Sequence, residues 1–229
     1  MADAGGADPL VIRSLEFMGG MASAGGWRPD TDLPEIAFAG RSNVGKSSLL
    51  NRLVKRKAFA RVSRTPGRTR EINFFLVNDR FVLADLPGYG YAKISKERKA
   101  EWRPLLEGYL GGTTRLAGVV QLLDIRRAPS EDDVSMLDFL AHLEIPTIVV
   151  LTKVDKLSRA SVAARTGEIV RGLMLDPAQT IEFSAMTGAG RDELAAAVSS
   201  IVAAHSLAVQ PDSDTVDAPL EVPRSEGAA

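Results

Sequence analysis

Short apolar runs alternate with longer segments of helical spacing along most of this chain. The run at 36–39 stops at Gly40, which predicts a buried strand. Residues 47–54 follow, with their leucines three and four positions apart as on one face of a helix. The first regular unit is therefore expected to be a strand, a turn that begins with glycine, and a helix.

A hairpin is predicted next along the chain. Residues 58–71 lack a helical period and contain Pro66-Gly67, so a loop is expected there. The runs 72–77 and 81–84 flank the turn sequence Asn78-Asp79-Arg80. Two runs separated by such turn residues indicate antiparallel strands.

Beyond the hairpin, helices and apolar strands alternate. Helices are predicted at 95–110, with Ser95 as N-cap, and at 130–143, 158–173 and 191–205. Strands are predicted at 119–123, 147–151 and 180–183. This alternation indicates an α/β fold of three layers, in which a mostly parallel sheet is covered by helices on both faces.

The two ends of the chain differ from this core in composition. Residues 19–32 are rich in Gly, Ala, Ser, Pro and Asp, so 1–33 is expected to be a partly flexible lead-in. A single domain is predicted at 34–206, followed by a disordered acidic tail at 207–229. The sequence shows neither a secretory signal pattern nor an apolar stretch of the ~20 residues that span a bilayer. We therefore expect a cytoplasmic protein; the expected oligomeric state is a monomer.

Two features of composition narrow the chemistry. The chain has no cysteine, which excludes disulfides and thiolate metal sites. Its formal net charge is -1, yet residues 41–103 hold 16 Lys and Arg against 5 Asp and Glu. This basic sector, mainly 55–103, is typical of a surface that binds a polyanion such as RNA, although a solvated charged face is the alternative. Tyr89, Tyr91 and Trp102 are candidates for stacking on bases, with core packing as the alternative for Trp102.

The segment Gly40-Arg41-Ser42-Asn43-Val44-Gly45-Lys46-Ser47 matches G-x-x-x-x-G-K-[ST] at every fixed position and lies between the predicted strand and helix. Its glycines allow backbone N–H groups to surround a phosphate, and the helix N-terminus adds a favourable dipole. Lys46 is suited to the β- and γ-phosphates and the Ser47 hydroxyl to Mg2+, with Ser48 beside them. The sequence therefore predicts a nucleotide site that uses Mg2+.

Thr152-Lys153-Val154-Asp155 follows an apolar strand and predicts which base is bound. A carboxylate at Asp155 can accept from both N1–H and the exocyclic amino group of guanine, and adenine lacks that pair of donors. The stem of Lys153 can cover the base ring. A weaker signal is Phe183-Ser184-Ala185 at the end of a late strand, where backbone N–H groups could meet the guanine carbonyl. GTP and GDP are the predicted ligands.

Two further segments are expected to sense the γ-phosphate. Asp85-Leu86-Pro87-Gly88 has the form D-x-x-G, so Asp85 would hold Mg2+ through water and the Gly88 N–H would contact the phosphate. Gly67-Arg68-Thr69-Arg70 lies in the predicted loop, and Thr69 is the expected second protein ligand of Mg2+, with Thr65 as the alternative. Lys46, Thr69 and Gly88 are the residues expected to act on the transferred phosphate.

With these elements in this order, the chain resembles a TRAFAC-class GTPase, and more closely the EngB (YihA/YsxC) family of bacterial GTPases. The resemblance covers residues from about Leu10 to His205. It is carried by 34–49, 65–69, 85–92, Trp102, Asp124-Ile125-Arg126 and 152–155. One departure is Met186, which stands where the family usually has a lysine after Ser-Ala, so lysine stacking on the base is in doubt.

The resemblance implies a Ras-like G domain with a six-stranded sheet, one strand of which is antiparallel. It also implies use of Mg2+, a role in assembling the large ribosomal subunit with an rRNA precursor as partner, and a requirement in cell division and septation. A non-catalytic module that reads the GTP/GDP ratio and recruits division proteins is the alternative. A P-loop ATPase or kinase is disfavoured by Asp155.

The expected reaction is attack of water on the γ-phosphate, with charge neutralised by Lys46 and Mg2+. Ras-like GTPases orient that water with a glutamine directly after D-x-x-G, where this chain has Tyr89. Slow intrinsic hydrolysis is therefore predicted. The resemblance implies a further role for Asn43, since an asparagine at this position of similar GTPases can ligate a K+ ion that supplies the charge of an arginine finger. The alternative is that Asn43 only caps or tightens the loop.

Overall fold

Seven strands form one sheet in the computed structural model, which describes residues 8–55, 71–90 and 96–209, with side chains from residue 103 onward in the last range. The strands are β1 Leu15–Met21, β2 Glu35–Gly40, β3 Ile72–Val77, β4 Phe81–Asp85, β5 Leu116–Asp124, β6 Thr147–Thr152 and β7 Thr180–Phe183. The helices are α1 Lys46–Leu53, α2 Lys96–Leu110, α3 Glu131–His142, α4 Arg159–Gly172 and α5 Arg191–Ala208, with 3-10 turns at Val154–Lys156 and Pro177–Gln179.

The strand order is β1-β3-β4-β2-β5-β6-β7. Strand β3 runs antiparallel to both of its neighbours, and the other pairs are parallel. The predicted hairpin and the single antiparallel strand are confirmed. Because the carboxyl ends of the parallel strands meet at one edge, the loops that follow them are brought together there.

The expected count of six strands is wrong, because β1 adds a seventh at the edge of the sheet. It pairs with β3 and contains an irregularity between Phe17 and Gly19. Only Met21 of this strand is buried, and Gly19 lies so close to Trp27 that a Cβ there would come within 2.6 Å of the indole ring. A glycine-containing, half-exposed edge strand lacks the alternating apolar pattern that would have revealed it.

Helices cover both faces of the sheet, as predicted. Leucines of α1 and α5, among them Leu49, Leu50 and Leu194, pack with Phe38 and other residues of the inner strands. On the opposite face, α2 and α3 contribute residues such as Tyr109 to a second apolar cluster. Helix α4 packs on β5 and β6 in a third. The fold is thus the three-layer α/β arrangement of a Ras-like G domain.

Several element ends follow from local capping. Ser130 and Asp133 form a reciprocal capping box at the start of α3, and the Ser158 hydroxyl accepts from the backbone at the start of α4. Helix α5 continues to Ala208, beyond the predicted end at 205. The predicted cap Ser95, the loop at 58–70 and the tail from 210 lie outside the described residues. Among the described residues, no helix is both long and apolar enough to cross a membrane.

Part of the predicted flexible lead-in is anchored to the domain. The Arg191 side chain, only 5% exposed, pairs with Asp8 and donates to the Leu10 carbonyl at 2.9 Å and the Leu53 carbonyl at 3.0 Å. Burial raises the pKa of Asp8, but hydrogen bonds from Arg191 and Lys55 outweigh it and hold that pKa below its usual value. Residues 8–10 are therefore fixed against α1 and α5.

Candidate functional site

The phosphate loop joins β2 to α1 in a conformation that leaves the helix N-terminus open. Gly45, the N-cap, has φ of 110°, which a residue with a Cβ adopts only with strain. A Cβ on Gly40 would lie 2.9 Å from Val44 Cγ1, so this position also requires glycine. No side chain caps α1 and its first turn holds no acidic residue, so its N–H groups and dipole are suited to an anion.

Lys46 and Asp85 form an ion pair at the centre of the site, although they come from α1 and β4. Their side chains are 12% and 9% exposed, so the pair is shielded from solvent on most sides. Gly88, at the end of the D-x-x-G segment, lies close to the phosphate loop, since a Cβ on this residue would be 3.1 Å from Ser42 Oγ. The D-x-x-G segment therefore lies directly against the phosphate loop, as the sequence predicts.

The loop after β6 is bonded to the phosphate loop by two side chains. The Thr152 hydroxyl donates to the Val44 carbonyl at 2.7 Å, and Lys153 Nζ donates to the Asn43 carbonyl at 2.6 Å. Lys153 Nζ also lies 2.9 Å from Asp124 Oδ2 at the end of β5. These bonds fix the position of the Thr152–Asp155 segment relative to the phosphate loop.

Asp155 is oriented by the loop after β7. Ser184 Oγ donates to Asp155 Oδ1 at 2.7 Å, and Lys156 Nζ lies 3.2 Å from Asp155 Oδ2. The hydrogen bond from Ser184, with a smaller effect from Lys156, lowers the pKa of Asp155 below its usual value. At neutral pH this side chain is thus a carboxylate, which can accept two hydrogen bonds from a planar base.

Tyr89 lies at the point where D-x-x-G meets the phosphate loop, and its side chain points into the core. The Ser42 N–H donates to the Tyr89 carbonyl at 2.8 Å, which ties the two backbones together. The Tyr89 hydroxyl accepts from Gln121 and donates to Asp133 Oδ1 at 2.7 Å. Burial, and then Asp133, raise the pKa of Tyr89 well above its usual value, so the phenol stays neutral.

Burial decides what several predicted residues can do. Ser42, Asn43, Ser47 and Ser48 have at least part of their surface accessible. Tyr89 is only 3% exposed, so the prediction that it stacks on bases is wrong. The side chains of Val44, Leu86 and Phe183 belong to the apolar clusters or are fully buried, which leaves only their backbones for a ligand.

The structure tests neither the predicted second Mg2+ ligand nor the loop around it. Gly67, Arg68, Thr69 and Arg70, together with Thr65, lie outside the described residues, as do Tyr91 and the side chain of Trp102. Of the residues predicted at the site, those from 40–48, 85–88, 152–155 and 183–185 lie along one edge of the sheet.

Two residues of the site were not assigned a role from sequence. Asp124 receives hydrogen bonds from both Arg126 and Lys153. Burial raises its pKa, but these bonds dominate and hold it well below the usual value. Asp133, which is 4% exposed, accepts a hydrogen bond from the Tyr89 hydroxyl. The only sequence signal for Asp133 is the capping pattern S-x-x-D, which does not indicate the contact with Tyr89.

The donor set is compatible with Mg2+. This ion prefers hard oxygen ligands and is held by few protein groups alongside substrate phosphates. Asp85 offers a carboxylate that already faces a cation, Lys46, and the Ser47 hydroxyl is exposed in the first turn of α1. Within the described ranges, no cluster of three or more His, Asp or Glu side chains could hold a metal ion.

Comparison with known sequences identifies close relatives. A family model described as 50S ribosome-binding GTPase matches residues 35–153. A probable GTP-binding protein EngB of Gemmatimonas aurantiaca is 66% identical over 194 residues, which cover 85% of this chain and 95% of the relative. A protein of the same name from Syntrophomonas wolfei subsp. wolfei is 51% identical over 174 residues, covering 76% and 90% of the two chains.

Solved structures show the same fold. The crystal structure of a probable GTP-binding protein engB matches with a TM-score of 0.65 and 27% identity, over 74% of this chain and 99% of that one. A single-residue variant of Era from Aquifex aeolicus, bound to GDP and AlF4-, matches with a TM-score of 0.55 and 23% identity, over 75% of this chain and 57% of its own. At that identity the second match speaks for the fold alone.

The contacts of Tyr89 lead to a first prediction. Tyr89→Phe keeps the ring but removes the hydroxyl that Asp133 and Gln121 share, so the free energy of unfolding should fall by about 1–3 kcal/mol. Nucleotide affinity should fall as well. The bonds of the hydroxyl hold Tyr89 in place, and the Tyr89 carbonyl in turn accepts a hydrogen bond from Ser42 of the phosphate loop. Urea denaturation and calorimetry with GTP measure the two effects.

Tyr109→Phe is the matched control for this experiment. Its hydroxyl donates to the buried Glu35 at 2.9 Å, away from the phosphate loop. That variant should lose stability and bind GTP as the wild type does. An equal loss of GTP affinity in both variants would show that Tyr89 acts through general stability only.

Proposed function

Because the chain belongs to the EngB family of GTP-binding proteins and is a GTPase, we propose that it is a GTP-controlled switch in the assembly of the large ribosomal subunit, required for normal cell division and septation. The observation that carries the nucleotide part is the joining of the phosphate loop to the Thr152–Asp155 segment by Thr152 and Lys153. The ribosomal part is supported by the description of the matching family as ribosome-binding.

In this proposal the phosphate loop holds the nucleotide by its phosphates. The N–H groups of the first turn of α1 bind the oxygens, and Lys46 neutralises the β- and γ-phosphates. Ser47 would hold Mg2+ with its hydroxyl, and Asp85 would do so through water. The ion would supply positive charge that helps Lys46 to neutralise the phosphates. Lys46 would face the γ-phosphate beside Asp85, and the Gly88 N–H would donate to that phosphate.

Guanine is selected by Asp155 in the same proposal. The hydrogen bond from Ser184 fixes the carboxylate. Lys153, whose Nζ donates to the Asn43 carbonyl and to Asp124, would cover the ring with its stem. Met186 is 76% exposed and contributes no charge, and the Ser184 N–H already donates to the Ala189 carbonyl at 3.0 Å. The base contact after β7 is therefore left to the backbone N–H of Ala185.

Hydrolysis is proposed to be slow in the isolated protein. The Tyr89 hydroxyl is bonded to Asp133 and Gln121 inside the core, so it does not orient an attacking water as a glutamine would. Lys46, Gly88 and Thr69 are the proposed catalytic groups. A partner or an ion therefore has to supply the remaining stabilisation of charge.

Asn43 is the proposed site for that ion, K+. Its φ of 64° places it in the left-handed region that asparagine tolerates, which also supports the simpler role of shaping the loop. The Asn43 side chain is exposed and makes no hydrogen bond to a described residue, so its amide oxygen is available as a ligand. The two roles make different predictions about salts.

The proposed partner is the rRNA of a large-subunit precursor. Residues 56–70 and 91–95 of the basic sector lie outside the described residues, as do the side chains of 96–102. The support is therefore the charge of the sequence and the relatives. GTP would order the segments that contact the γ-phosphate and so present this basic surface in one state only. Membership in a family of GTPases argues against the alternative of a non-catalytic sensor module.

Base selection is tested by Asp155→Asn. An amide in this position donates where guanine also donates, so GTP affinity should fall by roughly 100-fold or more, while XTP should gain because xanthine has a carbonyl in place of the amino group. Calorimetry with GTP, XTP and ATP in Mg2+ measures the change.

The control variant is Asp79→Asn, the same chemical change in the exposed turn between β3 and β4. It should leave all three affinities as they are. If Asp155→Asn retained the wild-type preference for GTP, the assignment of Asp155 to the base would be wrong.

The role of Asn43 is tested by hydrolysis in K+ and Na+. We expect the wild type to be several times faster in K+, and both Asn43→Ala and Asn43→Gly to lose the difference. Glycine keeps the left-handed turn at no strain, so it separates the amide oxygen from the shape of the loop. A K+ preference that persists in Asn43→Gly would leave Asn43 with the loop role only.

The switch itself is tested by co-sedimentation with large-subunit particles in GDP, GTP and a non-hydrolysable GTP analogue. We expect binding with GTP and the analogue, release with GDP, and faster GTP turnover when particles are present. Nucleotide-independent binding, or none in any state, would contradict the proposed function.

A further inference from the structure

A cleft that shares residues 41–44 and Lys153 with the predicted nucleotide contacts extends from the phosphate loop to the loop that follows β5. Its cavity measures about 470 Å³. It is lined by residues 41–44 of the phosphate loop, by residues 123–124 and 126–129, and by Gly90, Asp133 and Lys153. The cleft lies beside the phosphate loop and is built from segments that are far apart in the sequence.

The cleft is positively charged. Four cationic side chains line it, those of Arg41, Arg126, Arg127 and Lys153, against the carboxylates of Asp124 and Asp133. The Asp124 carboxylate is already used by Arg126 at 2.7 Å and Lys153 at 2.9 Å. In the part of the chain that the structure describes, Arg41 and Arg127 have no carboxylate partner.

The Asp133 carboxylate does not neutralise these arginines either. Its Oδ1 accepts from the Tyr89 hydroxyl, and its Oδ2 accepts from the hydroxyl of Ser130 at 2.7 Å and the N–H of Ser130 at 2.8 Å. Since both oxygens are engaged and the residue is 4% exposed, two guanidinium charges remain for an external anion.

Both arginines are held by the backbone around them. Arg41 forms a bridge with Tyr89, and its side chain lies against Gly90, where a Cβ would come within 2.6 Å of Arg41 Nε. Arg127 is exposed, and its N–H donates to the Asp124 carbonyl at 3.0 Å. A fixed backbone lowers the entropy that each arginine loses on binding an anion.

The rest of the lining is apolar, with Val44, Leu123, Ala128 and Pro129. A guanidinium group can donate two parallel hydrogen bonds to two oxygens of one phosphate. An apolar surface can pack against a sugar or the face of a base. This combination matches a nucleotide unit better than an acidic peptide, whose carboxylates bring no flat apolar group.

We propose that this cleft binds a phosphodiester of single-stranded RNA through Arg41 and Arg127, beside the phosphate loop. The inference rests on the proposed function, which supplies RNA as the partner, and adds where on the described surface it docks. The bound strand would lie close to Arg126, which also lines the cleft. Arg126 forms an ion pair with Asp124, and Asp124 forms another with Lys153 of the Thr152–Asp155 segment.

Arg127→Ala is the variant that tests this site, because Arg127 has no place in the nucleotide contacts. The full-length protein with a saturating non-hydrolysable GTP analogue and Mg2+, the state in which the proposed switch binds its partner, is titrated with a fluorescent single-stranded RNA of about 12 nucleotides, a length typical of such sites, at several salt concentrations. RNA affinity should fall roughly tenfold, and the slope of log affinity against log salt should decrease by about 0.7, the loss of one phosphate contact. Arg127→Glu should weaken binding further.

Arg159→Ala is the matched control, since Arg159 is an exposed arginine at the start of α4 and outside the cleft. It should bind RNA as the wild type does, and all variants should bind GDP with the wild-type affinity, which shows that they are folded. Equal RNA affinity of Arg127→Ala and wild type would overturn the cleft site while RNA binding itself stands.

Two other results would also contradict the inference. If the wild type does not bind RNA at any salt concentration, the RNA partner fails and the cleft proposal falls with it, whereas GTP hydrolysis is untouched. If polyglutamate binds in a manner that depends on Arg127 and RNA does not, the cleft is a site for an acidic protein.

Discussion

The hydrogen bonds between the loop after β6 and the phosphate loop are the constraint on which the site depends. Thr152 and Lys153 both donate to carbonyls of the phosphate loop, from a strand that lies far along the chain from it. Through these bonds, the distance between the group that selects the base and the groups that hold the phosphates is set by the protein. A ligand that fits both ends therefore binds without losing affinity to the entropy of ordering these loops.

The sheet makes this arrangement possible. Parallel strands β2, β4, β5, β6 and β7 all end at the same edge, so each contributes one functional loop. The ion pair between Lys46 and Asp85 shows the consequence, since one residue starts α1 and the other ends β4. Helices on both faces bury the strands and keep their ends in register. The chemistry is therefore concentrated where the chain leaves the sheet.

Sequence reasoning succeeded where a function is contained in one short segment. The phosphate loop, D-x-x-G and Thr152–Asp155 each carry their own strand and turn signals, so their location at strand ends could be predicted. Strand β1 could not, because Gly19 and Gly20 break the apolar pattern and its stability comes from pairing with β3 and contact with Trp27. Local propensity does not contain such tertiary contacts.

Tyr89 shows the same limit within the site. A tyrosine after D-x-x-G in a basic sector suggested an exposed aromatic ring, yet its partners, Gln121 and Asp133, lie on β5 and α3. The direction of a side chain depends on where its hydroxyl can be satisfied once it is buried. The charge count has the same weakness, because Arg127 lies outside the basic sector and only the fold brings it beside Arg41. A polyanion surface is thus decided by which cations remain unpaired after folding, which a count along the chain does not reveal.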